Sequence, residues 1–63
     1  MAPSAPVPAA ASILVAEDQA DIRDLIRMTL EMGGYGVHEA PDGNTALQMA
    51  DRVSPDLMLL DVM

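Results

Sequence analysis

Residues 13–18 read Ile13-Leu14-Val15-Ala16-Glu17-Asp18, four apolar side chains in a row followed by two carboxylates. A run this short, apolar without alternation, suits a strand buried on both faces, as in a parallel sheet covered by helices. Downstream, Ile22, Leu25, Ile26, Thr29 and Leu30 recur at i, i+3, i+4, i+7 and i+8, the spacing of an amphipathic helix. Asp18 or Gln19 begins that helix, where acids suit its dipole. Gly33-Gly34 closes it, because glycine takes the left-handed conformation at a helix C-terminus at no steric cost.

Residues 35–40 form a weaker strand. Only Val37 is a good strand former among Gly36, His38 and Glu39, so this strand belongs at the sheet edge. Pro41-Asp42-Gly43 is a turn with Asp42 as helix cap, and Ala46, Leu47, Ala50 and Val53 mark one face of a second helix. Ser54-Pro55-Asp56 stops it. Residues 57–63, Leu57-Met58-Leu59-Leu60-Asp61-Val62-Met63, are a third strand, apolar on both faces and interrupted once. The order β-α-β-α-β predicts an α/β fold with a parallel sheet and right-handed crossovers. If the chain reverses across the sheet after the second strand, the strand order is 2-1-3 and the helices cover opposite faces. The crevice then lies beyond the carboxyl ends of strands one and three, where open α/β sheets bind ligands.

The formal net charge is −7, from ten acids against Arg23, Arg27 and Arg52, with no lysine. Such a chain repels phosphate backbones and anionic membrane surfaces, so neither direct nucleic-acid binding nor membrane association is expected. A hydrophobic content of 51% favours folding over disorder. Without cysteine there is no zinc ribbon or disulfide scaffold. No apolar run approaches the roughly 20 residues of a membrane-spanning helix, and a cytoplasmic location is expected. Residues 1–12, MAPSAPVPAAAS, carry Pro3, Pro6 and Pro8 among alanines and serines and read as a disordered tail, with no secretory signal. The folded domain is residues 13–63. His38 reads as an exposed strand residue, Tyr35 as packing, and Met28, Met32, Met49 and Met58 as core or core-edge filler.

Glu17 and Asp18 follow strand one directly, and Asp61 sits near the end of strand three. In a 2-1-3 sheet these ends are neighbours, so three carboxylates converge on the crevice. Two unit charges about 4 Å apart repel by roughly 4 kcal/mol at an effective dielectric of about 20. A hard divalent cation relieves this, and magnesium suits a site of few carboxylates, retained waters and phosphate oxygens. A carboxylate there can act as a nucleophile and carry an acyl phosphate.

The segments ILVAEDQADIRDLI, GYGVHEAPDGNTAL and PDLMLLDVM, in that order, resemble the receiver domain of two-component response regulators from its first strand to its phosphoacceptor. The resemblance implies a flavodoxin-like half-fold. It implies magnesium held by Glu17, Asp18, Asp61 and the backbone carbonyl of Met63. It further implies phosphorylation of Asp61 by a histidine kinase or phosphotransfer protein, with no enzyme activity of the chain's own. It covers residues 13–63, about half of a receiver. The family's second half supplies a hydroxyl residue and a lysine that contact the phosphoryl group, so phosphorylation of this chain is expected to be impaired. A rival reading is a non-phosphorylated half-receiver that self-associates or docks on a partner, and the edge of residues 57–63 is expected to pair with a second copy. A magnesium-dependent phosphatase is a third reading. It needs an acid two residues after the nucleophile, where Met63 stands.

Overall fold

Among the described residues Leu14 and Val15 are the largest fully buried side chains, because their strand lies in the middle of the sheet. The computed structural model describes residues 11–60. In chain order these form β1 (Ser12–Ala16), α1 (Ala20–Met32), β2 (Gly36–Ala40), α2 (Gly43–Val53) and β3 (Leu57–Leu60). The expectations for the tail, Asp61, Val62 and Met63 lie outside the described residues, apart from Ala11 and Ser12.

All strand pairs are parallel, in the order β2-β1-β3. The 2-1-3 sheet expected from the sequence is therefore present. Register places Leu14 between His38 and Met58, and Ala16 between Ala40 and Leu60. That face meets α2: Leu14, Ala16, Ala40 and Ala46 form the buried cluster, with Met49, Ala50 and Met58 packed against it. Residues one step along, Ile13 and Val15 beside Val37 and Glu39, turn to the opposite face. There Arg23 and Arg27 of α1 reach Glu39. At the other end of the sheet Asp56 ties β3 to β1 twice, accepting from Ser12 N at 2.7 Å and donating its own N–H to Ser12 O at 2.8 Å.

The helix boundaries follow local chemistry. Gln19 is the N-cap of α1, without a side-chain cap bond. The helix ends in a Schellman arrangement: Tyr35 N donates to Leu30 O and Gly34 N to Glu31 O, with Gly34 at φ +90°. Only Gly34 of the glycine pair needs the positive φ. Asp42 caps α2 by accepting from Thr45 N at 2.7 Å, and Ser54 ends it in the left-handed region at φ +46°.

Five readings of side-chain placement are corrected. The face of α1 turned to the sheet centres on Arg23, Ile26, Arg27 and Leu30, leaving Ile22 and Leu25 exposed, the latter at 63%. The pull comes from β2, whose Glu39 binds both arginines. In α2, Ala46, Met49, Ala50 and Val53 face inward, and Leu47, one step around the helix, is 62% exposed. Met28 and Met32 are exposed, and of these four methionines Met49 and Met58 pack against the core. Tyr35 is also exposed, and His38 is half-buried rather than exposed.

The hydrogen bond from Thr45 N holds the Asp42 carboxyl below the usual carboxylate range. A depressed folded pKa means that this stabilisation is present above the unfolded value of 3.8 and lost as pH falls through the folded one. Asp42→Ala is expected to lower the melting temperature by a few degrees at neutral pH. The gap from wild type should close as pH drops below 3.8, which paired thermal melts across pH would read.

Candidate functional site: the acidic turn after β1

Beyond Ala16 the chain leaves the sheet at its carboxyl edge, and the next two residues are the acids. Glu17 is only 6% exposed, whereas Asp18 is exposed. Their different settings follow from the turn. Glu17 N donates to Ala40 O at 3.1 Å, extending the β1–β2 pairing by one residue. The Glu17 side chain folds toward the start of α1, where its Oε2 accepts from Gln19 N at 3.2 Å. That contact places the carboxylate near the positive end of the helix dipole. Asp18 makes no such hydrogen bond among the described residues and is exposed.

Arg23 and Glu39 complete the surroundings, and neither was singled out from the sequence. Arg23 Nη1 donates to the backbone oxygen of Glu17 at 2.9 Å. Its Nε lies 3.6 Å from Glu39 Oε2. Arg27 Nε lies 2.6 Å from Glu39 Oε1, an ion pair rather than an aligned hydrogen bond, since that buried oxygen accepts none. Arg27 also meets Glu31 at 2.9 Å. The available signal was the scarcity of cations: two of the three arginines stand at i and i+4 of one helix, and Glu39 is the only acid in β2.

Beside the turn, Val15, Ala16, Glu17, Ile26, Leu59 and Leu60 line an open cavity of about 190 Å³. Leu60 pairs with Ala16, so the described part of β3 ends level with β1. Glu17 and Asp18 are thus placed at the carboxyl edge as expected. Asp61 and Met63, the other expected ligands, lie outside the described residues. Among the described residues no three ligating side chains converge.

The model of the response regulator receiver domain matches residues 13–63. The chain belongs to the response regulator receiver family. This receiver segment is 43% identical over 51 residues to the DNA-binding dual master transcriptional regulator RpaA of Synechocystis, covering 81% of the chain and 21% of the relative. It is 47% identical over 51 residues to the alkaline phosphatase synthesis transcriptional regulatory protein PhoP of Bacillus subtilis, with the same 81% and 21% coverage. It is 49% identical over 51 residues to the uncharacterized transcriptional regulatory protein YrkP of Bacillus subtilis, covering 81% of the chain and 22% of that protein. The receiver segment therefore spans about a fifth of the length of these relatives. No helix among its described residues is long and apolar enough to cross a membrane.

Proposed function

We propose that this receiver segment accepts a phosphoryl group on Asp61 from a histidine kinase or phosphotransfer protein in the cytoplasm. In the transfer the phosphorus–nitrogen bond of a donor phosphohistidine breaks and a bond to an Asp61 carboxylate oxygen forms, leaving the imidazole as product. The chain is the acceptor, not an enzyme in its own right. The observation that carries the reading is the acidic turn at the carboxyl edge of the central strand, level with the end of β3.

The donor set fits magnesium. Both residues of the turn offer hard carboxylate oxygens, and Asp18, the exposed one, leaves room for the waters that this ion retains. Glu17, Asp18, Asp61 and the Met63 backbone carbonyl would hold it, and a bound magnesium ion would offset the phosphoryl charge. Glu17 contributes a carboxylate already oriented by Gln19 N. Lacking lysine, the chain brings no ammonium group to the phosphoryl oxygens. With a net charge of −7, it is not itself the DNA-contacting part of any parent built like the relatives named as transcriptional regulators.

Acetyl phosphate and intact-mass measurement test the acceptor. Incorporation is expected to be roughly 10²–10³-fold slower than in a receiver bearing the lysine, the usual cost of one missing charge-stabilising donor. Asp61→Asn is expected to abolish it. Incorporation that survives Asp61→Asn would overturn the assignment.

A second reading is favoured by β3, whose Leu57, Leu59 and Leu60 are exposed along a strand paired on one side only among the described residues. In that reading the segment is a non-phosphorylated module that self-associates through the edge of residues 57–63. Magnesium titration separates the two: the acceptor binds the ion and loses it on Asp18→Asn, whereas the module has no such site.

A further inference from the structure

The acidic turn is clamped from the flank by a residue that carries no ligand oxygen. Arg23 lies in the first turns of α1, its side chain 19% exposed, and its guanidinium spans a backbone carbonyl and a carboxylate. Nη1 donates to the Glu17 backbone oxygen at 2.9 Å, while Nε stands 3.6 Å from Glu39 Oε2. Glu39 is itself set on β2 directly beside Val15, two residues before Glu17. We propose that Arg23 is a positioning residue, fixing the peptide that joins Glu17 to Asp18 so that both carboxylates are presented in one orientation.

The argument rests on where each bond lands. The Glu17 backbone is held at its N–H by Ala40 O and at its carbonyl by Arg23 Nη1, so the peptide units on both sides of it are fixed. With both ends fixed, the Glu17 carboxylate can be met by Gln19 N at 3.2 Å. Without Arg23 the carbonyl turns to water, and the Glu17–Gln19 contact loses its support. A planar guanidinium holds two partners in one fixed fork, whereas the three donors of an ammonium rotate on a single nitrogen at the end of a flexible stem. Glu39 accordingly orients Arg23, and Arg23 orients the turn.

A plain staple between α1 and β2 is the competing account, and Arg27 provides its control. Arg27 binds the same Glu39, at 2.6 Å, without a bond to the turn. If Arg23 only staples the helix to the strand, removing either arginine has the same effect. Electrostatics also give the two roles opposite signs. A cation near a magnesium site repels the ion, so loss of its charge alone would tighten binding. Loss of positioning weakens it.

The test compares the 63-residue chain with Arg23→Gln and Arg27→Gln. Amide hydrogen exchange of Gln19 is read in metal-free protein, with Leu14 and Val15 as internal reports on folding. Arg23→Gln is expected to speed Gln19 exchange at least ~10-fold while β1 stays protected, and Arg27→Gln to leave it unchanged. Arg23→Lys keeps the charge beside Glu39 but lacks the fork. It should expose Gln19 as well, and it serves where Arg23→Gln loses β1 protection. Wild-type exchange in both Arg23 variants, or equal exchange in the Arg23 and Arg27 variants, overturns the proposal.

A second arm, magnesium titration by calorimetry, rests on the reading of this turn as a magnesium site. Arg23→Gln is expected to weaken the ion roughly 10–100-fold, the usual effect of losing a group that orients a ligand. Unchanged or tighter binding counts against positioning. If wild type and Asp18→Asn bind magnesium alike, the metal reading fails, and the exchange data alone decide the role of Arg23.

Discussion

Leu14→Ala is expected to unfold the 63-residue chain. Leu14 is 0% exposed on the central strand and packs with Ala16, Ala40 and Ala46 under α2. The cluster is otherwise alanine, so Leu14 supplies most of its bulk, and neighbours on a sheet and a helix can only partly close the space. Truncating a buried leucine costs about 2–5 kcal/mol. Even sizeable domains are stable by only about 5–15 kcal/mol, and a fold this small is less well buried than most. Circular dichroism of the variant should show lost helix and no cooperative melt. Leu47→Ala is the control: it lies on the apolar stripe of α2 by sequence, yet it is exposed, and its cost should stay within about 0.5 kcal/mol. Equal melting of the two variants would show that the cluster under α2 is not the core.

The other large effect is association. In solution at micromolar concentration the 63-residue chain is expected to have the mass of a dimer. α1 and α2 both sit over β1 and β2, which leaves Leu57, Leu59 and Leu60 of β3 exposed, the last two lining the open cavity. Exposed backbone groups on an apolar edge strand are a template for another strand. A two-fold axis there pairs β3 antiparallel with its copy, extending the three strands of each chain into one sheet. Each copy carries a net charge of −7, so added salt should strengthen the association by screening the repulsion. Leu59→Lys should release monomers, because it places a charge on the paired face. Light scattering decides it: a cooperatively folded monomer in the wild-type chain at both low and high salt would remove β3 as an interface.

Much of the fold and part of the site were legible in the sequence because their causes are local. An unbroken apolar run can only be a doubly covered strand or a buried helix, and its length of four selected the strand for residues 13–16. Asp42 three residues before Thr45, and Gly34 after a helical period, end helices through contacts a few residues long. Alternating strands and helices then restrict the sheet to parallel pairing, which brings the acids after β1 to the edge that β3 shares. Tertiary structure alone decided which sides of those helices are buried and how the two acids differ. Ile22 and Leu25 follow the helical period as well as Ile26 does, but Glu39 on β2 draws Arg23 and Arg27 to the sheet and rotates them outward. Likewise, Glu17 and Asp18 are chemically alike in sequence. One is buried and the other exposed because Ala40 O, Gln19 N and Arg23 Nη1 all converge on Glu17. Periodicity records how apolar a face is. It holds no record of a charge twelve or more residues away that has to be neutralised, and that long-range pairing set the orientation here.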